Sequence, residues 1–131
     1  MLKRMGIALS LVLFLSACGG DTRELKTVQQ QRVGDYAVTV LSETGKLKNG
    51  AGAYTLEFRK TSDNQLVDVG PVEVAPVMEM PGMAPMMGIA EVGPTNTPGR
   101  YEVKGNLTMS GLWKVTVKFG EQSVRFSLNA E

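Results

Sequence analysis

From Gly34 to the end of the chain, apolar and polar residues alternate with a period of two. This alternation is typical of a β-strand that buries one face and exposes the other. It occurs in six runs, which start near positions 36, 54, 72, 101, 113 and 124. No segment after residue 17 shows a sustained helical period. The pattern therefore predicts an all-β domain.

Turn-forming residues separate these runs. They are Lys48-Asn49-Gly50, Ser62-Asp63-Asn64, Pro98-Gly99 and Gly120-Glu121. The Gly120-Glu121 pair directly joins two alternating runs, which predicts a tight hairpin. About seven short antiparallel strands in roughly 100 residues predict an immunoglobulin-like β-sandwich. We assign this domain to residues 34–131, with Trp113 as a core anchor.

The first 18 residues have the order of parts found in a bacterial lipoprotein signal. Residues 1–4 carry two positive side chains, residues 7–15 are apolar, and Leu15-Ser16-Ala17-Cys18 looks like a lipobox. The apolar stretch is too short to cross a bilayer, which takes roughly 20 apolar residues. We therefore predict a signal peptide over residues 1–17 and a lipid-anchored N-terminus at Cys18. The alternative is an ordinary secretory signal with a chance cysteine.

The residues after the lipobox bear on location. Residues 19 to about 32 are polar and lack a period, so Cys18 and a flexible tether are expected to occupy residues 18–33. A lipobox cysteine normally carries two or three acyl chains, such as palmitate, and two or more make an anchor stable. Asp21 stands one place later than the usual inner-membrane retention signal. By resemblance, the protein is expected at a membrane, outside the cytoplasm, and on the periplasmic side of the outer membrane if the source is Gram-negative.

Composition narrows the chemistry. The chain has no histidine, which excludes a Ser-His-Asp triad and any zinc site with a histidine ligand. Cys18 is the only cysteine, and acylation would remove its thiol. The 14 basic and 13 acidic side chains form no basic block, so nucleic acid is not an expected partner. We expect a binding or accessory module and not an enzyme.

Methionine is the conspicuous residue that remains. Five of the eight methionines lie within the ten residues from Met78 to Met87, among Pro and Gly residues that predict a loop or an irregular edge strand. Three interpretations stay open: the side chains fill the open end of the sandwich, they bind Cu(I) through soft thioether sulfur, or they form an adaptable docking surface. The candidate metal ligands are Met80, Met83, Met86, Met87 and Met109, with Glu79 as an extra ligand and Trp113 as a cation-π cap.

Three motifs resemble the YtkA-like and FixH-like domains of bacterial exported and membrane proteins. The motifs are Met80-Pro81-Gly82-Met83 followed by Met86 and Met87, then Pro98-Gly99-Arg100-Tyr101, then Leu107-Thr108-Met109-Ser110-Gly111-Leu112-Trp113. The resemblance covers roughly residues 34 to 128. It implies an immunoglobulin-like sandwich outside the cytoplasm, often found alongside copper handling or cytochrome oxidase assembly. Related domains often carry a histidine near the Met-Pro motif, and this chain has none.

The sequence therefore predicts a lipid-anchored extracytoplasmic module, with copper-handling or oxidase-assembly proteins as expected partners. The leading specific hypothesis for its function is Cu(I) binding through the methionines. The alternative is a metal-free structural or interaction lipoprotein whose methionines pack the sandwich or contact a partner protein.

Overall fold

The computed structural model describes residues 24–131, which form nine β-strands in two antiparallel sheets. The predicted signal peptide and Cys18 lie outside the described residues and stay predictions. Within residues 24–131 there is no helix long and apolar enough to cross a membrane.

The two sheets pack face to face. The first has the strand order β1-β2-β3-β7-β6 and the second the order β5-β4-β8-β9. The strands are β1 (Lys26–Val33), β2 (Tyr36–Ser42), β3 (Gly50–Lys60), β4 (Val72–Met78), β5 (Met86–Met87), β6 (Ile89–Pro94), β7 (Arg100–Leu107), β8 (Gly111–Phe119) and β9 (Gln122–Ala130).

The strand order is that of an immunoglobulin-like sandwich. In the letters of that fold, β2-β3-β7-β6 corresponds to A-B-E-D and β4-β8-β9 to C-F-G. The prediction of an all-β antiparallel sandwich is confirmed. The strands beyond the seven of this common core are β1, at one edge of the first sheet, and β5, at one edge of the second.

Strand β1 corrects the predicted extent of the tether. Residues 26–33, expected to be flexible, pair with β2 from Lys26↔Ser42 to Val33↔Tyr36. The three consecutive glutamines of this strand interrupt the alternation that would reveal it in the sequence. An edge strand needs few apolar residues, so it can lack that pattern. Val28 and Val33 nevertheless pack against the core. Any tether from Cys18 therefore ends before Lys26.

The Gly120-Glu121 hairpin is confirmed. Phe119 pairs with Gln122, which leaves a two-residue turn between β8 and β9. Gly120 has a φ of 55°. Positive φ at the first central position is what a type II′ turn requires, and glycine adopts it without steric cost.

The two ends of the sandwich are closed by different side chains. At one end, near the Gly120-Glu121 turn, Phe58 packs edge-on against Phe119 at 4.9 Å and against Tyr101 at 5.3 Å between ring centroids. At the other end the core continues through Trp113, which has no exposed surface, to Met78. We call this second end the methionine end: it comprises residues 24–26, 43–49, 79–89, 108–112 and 131, which strand register brings to the same end of the sheets.

Candidate functional site

The methionine segment folds as a hairpin at the edge of the second sheet. Its tip is Met80-Pro81-Gly82-Met83, where the Met83 amide donates to the Met80 carbonyl at 3.1 Å. Gly82 has a φ of 74° after Pro81, which is the pattern of a type II turn. The chain then returns as β5, with Met86 opposite Met78. The predicted irregular edge strand is thus a two-residue strand behind a tight turn.

Strand register divides the methionines into two groups. Met78 is buried, and Met80 and Met86 are half-buried against the core. Met83 and Met87 are 70% and 71% exposed. The packing interpretation therefore applies to the first group and not to the second.

A second chain segment meets this hairpin. The Thr108 hydroxyl donates a hydrogen bond to Sδ of Met86 at 3.0 Å. The next residue, Met109, is 42% exposed, and its carbonyl accepts the indole N–H of Trp113 at 2.9 Å. The core tryptophan thus fixes the turn between β7 and β8 while that turn contacts Met86. Both methionine-bearing segments come together here.

Glycines permit the close packing beside this contact. At Gly88 the chain passes from the second sheet to the first, and the Gly88 amide donates to the Pro76 carbonyl at 2.9 Å. A Cβ at Gly88 would lie 2.9 Å from Pro76 Cγ. A Cβ at Gly105 would clash with the Ile89 carbonyl oxygen. The backbone course of the segment that carries Met86 and Met87 therefore requires glycine at positions 88 and 105.

The geometry narrows the set of candidate ligands. Adjacent residues of a strand point to opposite faces, so Met86 and Met87 are not expected to hold the same ion. Glu79, the suggested extra ligand, already forms an ion pair with Lys114 at 3.0 Å. Trp113 is completely buried, so a cation could reach its ring only after covering side chains moved. The thioethers that remain as one candidate set are Met80, Met83, Met86 and Met109.

Other sites in the described residues offer less chemistry. No group of three or more His, Cys, Asp or Glu side chains is placed to hold a metal within residues 24–131. The buried carboxylate of Glu57 is bonded to Arg59 Nε at 2.6 Å and to Arg100 Nε at 2.9 Å, so it is neutralised by two guanidinium groups. This cluster clamps neighbouring strands of the first sheet.

An open cavity of about 350 Å³ lies beside the β2–β3 loop. Tyr54 lines it, and no partner for its buried hydroxyl is found among residues 24–131; burial raises the pKa of this phenol. The remaining lining combines small residues of β3 with leucines and with charged side chains such as Glu43, Lys46 and Lys48, and it includes no methionine. The cavity is therefore separate from the thioether set.

Three residues of the methionine end were not predicted from the sequence as part of a site: Ile89, Leu112 and Thr108. Ile89 and Leu112 are 64% and 55% exposed, and with Met83, Met87 and Met109 they are the large apolar side chains that residues 24–131 leave exposed. Leu112 could have been found, because it precedes buried Trp113 in a strand and so points outward. Ile89 and the sulfur contact of Thr108 depend on strand pairings that no local pattern reveals.

The comparisons with known proteins agree with the fold and with the motifs. The model of the YtkA-like family matches residues 30–118, which is more than half of the chain and includes the methionine hairpin, Met109 and Trp113. No curated protein and no solved structure shows significant similarity to the chain. On the strength of the family match, the chain belongs to the YtkA-like family.

Proposed function

We propose that this YtkA-like protein is a lipid-anchored extracytoplasmic accessory module that binds Cu(I) through thioether sulfurs at its methionine end. The observation that carries the metal part is the 3.0 Å contact between Thr108 Oγ1 and Met86 Sδ. It joins the hairpin that carries Met80, Met83 and Met86 to the turn that carries Met109.

The donor set favours a soft, reduced ion. Thioether sulfur selects Cu(I) over harder ions and needs no deprotonation to bind. The Thr108 hydroxyl occupies one acceptor site on Met86 Sδ and leaves a lone pair for a metal. A site of thioethers alone, without thiolate or imidazole, is expected to hold Cu(I) weakly enough to pass it on.

The Cu(I) prediction is tested by leucine substitutions that keep side-chain bulk and remove sulfur. We expect the full-length mature protein in detergent to bind one Cu(I) with submicromolar affinity in competition with a chromophoric chelator under reducing conditions. Met86→Leu and Met109→Leu are each expected to weaken binding at least about tenfold, because each removes one of very few ligands.

Met87→Leu is the matched control, since Met87 lies on the opposite face of β5 and should leave the affinity unchanged. Absence of Cu(I) binding in the unmodified protein, or equal affinity of all three variants, would contradict the metal site.

The lipid anchor rests on the order of charge, apolar core, small residues and cysteine in residues 1–18. Cells grown with a clickable fatty acid are expected to label the protein at Cys18, and Cys18→Ser should abolish the label because serine lacks the sulfur that is acylated. The measurement is in-gel fluorescence after the click reaction. An unlabelled wild-type chain, or label that persists in Cys18→Ser, would contradict the anchor.

A metal-free docking function is the second candidate. Ile89 and Leu112 favour it, because exposed aliphatic side chains cannot ligate copper yet stand among the exposed methionines. The partners expected for this function are copper-handling or oxidase-assembly proteins outside the cytoplasm. Leucine variants of Met86 and Met109 would then keep partner binding, whereas Ile89→Asp and Leu112→Asp would lose it.

A further inference from the structure

The exposed apolar side chains of this protein are gathered at one end. Residues 24–131 leave five large apolar side chains exposed, and all belong to the methionine end: Met83, Met87, Ile89, Met109 and Leu112. We call these five the apolar patch. The opposite end closes over its aromatic cluster and contributes none of them.

The apolar patch is not explained by a metal site alone. Ile89 points outward from the first sheet, opposite Asn106, and Leu112 points outward from the second, opposite Asn129. Neither side chain has a ligating atom. Exposed apolar side chains gathered at one end of a domain are typical of a surface that contacts a protein or a membrane.

The start of the described chain lies at this same end. Lys26 pairs with Ser42, at the end of β2 that leads into the β2–β3 loop. Gly50, just after that loop, pairs with Leu107, just before the turn that carries Met109. The chain that leads back to Cys18 therefore departs from the methionine end.

The length of that chain limits how far the methionine end can be from an anchor. Lys26 is eight positions after Cys18, and a fully extended chain of that length spans at most about 29 Å. The sandwich itself is roughly 30 Å long, since β8 has nine residues. An acylated Cys18 therefore keeps the methionine end within about 29 Å of the bilayer, whereas the opposite end can lie up to about 30 Å farther away.

From these observations we propose that the methionine end docks on the bilayer that holds the Cys18 anchor, with the apolar patch buried in the lipid interface. The proposal rests on the lipid anchor of the proposed function and is independent of copper. Apolar side chains at the headgroup boundary bind by the area they bury.

The apolar patch is expected to dock without anionic lipid, and Lys26 and Lys48, which form no ion pair among residues 24–131, would strengthen binding to anionic vesicles. Lys46 is paired with Glu131 at 3.2 Å, and Lys114 is paired with Glu79 at 3.0 Å. Neither paired cation needs an anionic lipid. Docking is therefore expected on vesicles of neutral phosphatidylcholine.

The test places a polarity-sensitive fluorophore at single new cysteines in the full-length lipoprotein, since acylation leaves Cys18 with no thiol. Labels at Met83→Cys and Leu112→Cys, in phosphatidylcholine vesicles, are expected to emit at shorter wavelength and to be quenched by lipid with a nitroxide near the headgroup. The control is Glu121→Cys, in the exposed turn at the opposite end, which should show neither effect. Adding Ile89→Asp to Met83→Cys should reduce the quenching.

Three other outcomes are possible, and each leads to a different conclusion about docking and the anchor. Water-like emission at all three positions in an acylated protein would overturn docking and leave the anchor intact. Shorter-wavelength emission without quenching by nitroxide lipid would overturn it in favour of a protein partner. A mass lacking the acyl groups would overturn the anchor, and quenching of the label on a Cys18→Ser, Leu112→Cys variant by added vesicles would then decide docking by itself.

Discussion

Replacing Trp113 with alanine is expected to lower the free energy of unfolding by about 3–5 kcal/mol, as is typical of a buried large aromatic side chain. Trp113 has no exposed surface and lies in the core cluster between the two sheets. The substitution also removes the indole N–H that holds the Met109 carbonyl at 2.9 Å. The loss of this partly buried hydrogen bond adds to the effect. The measurement is urea denaturation followed by far-UV circular dichroism, because the variant lacks the only tryptophan.

Leu112→Ala is the matched control for this substitution. Leu112 precedes Trp113 in β8 but points outward and is 55% exposed. A surface change of this kind is expected to alter stability by no more than about 0.5 kcal/mol. Similar losses from the two variants would show that Trp113 is not the anchor of this end. Trp113→Phe should lie between them, since it keeps an aromatic ring and loses the hydrogen bond.

How much of the fold the sequence reveals depends on how each strand is buried. Strands such as β8 and β9 bury one face and expose the other, so their alternation of apolar and polar residues predicts them. β1 is polar along most of its length because it lies at an edge, and β5 has only two residues. Neither presents an alternating pattern long enough to recognise.

The candidate site, like the fold, can be predicted from the sequence only in part. Methionine content and the Pro-Gly turn predict which residue types lie at the sheet edge, since these are local properties of the sequence. The division into buried Met78 and exposed Met87 depends on the pairing of β4 with β5, which is not local. The contact between Thr108 and Met86 joins residues 22 positions apart, so it follows only from the packing of the strands.

The structure also relates the three interpretations of the methionines to one another. Met78, Met80 and Met86 extend the core beyond Trp113, as packing side chains do. Met83, Met87 and Met109 project into solvent, where neither core packing nor a solvated polar face accounts for them. Packing, ligation and docking therefore concern overlapping members of one cluster. Met80 and Met86 belong to both the packing group and the thioether set, and Met83 and Met109 belong to both the thioether set and the apolar patch. A single substitution can distinguish packing, ligation and docking only if it is known to which of these groups the substituted residue belongs.

The second large effect is expected from adding one methyl group to β7 at Gly105. A Cβ at Gly105 would clash with the Ile89 carbonyl oxygen, which belongs to the backbone and cannot rotate away as a side chain can. Gly105→Ala is therefore expected to displace the start of β6 and to lower the free energy of unfolding by about 1–3 kcal/mol or more. Because Met86, Met87 and Gly88 immediately precede Ile89, the same displacement should disturb the thioether set and the apolar patch.

Gly52, which pairs with Gly105 on the neighbouring strand, provides the control for this substitution. Gly52 is the partner of Gly105 in the pairing of β3 with β7, and a Cβ at Gly52 would meet no atom within 4 Å. Gly52→Ala should thus leave stability unchanged or raise it slightly, since alanine restricts the unfolded chain more than glycine does. Urea denaturation followed by Trp113 fluorescence compares the two variants, and amide hydrogen exchange in β6 locates the change. Equal midpoints for both variants would contradict the close approach of β6 to β7, whereas faster exchange confined to β6 in Gly105→Ala would tie the stability of this edge to that one glycine.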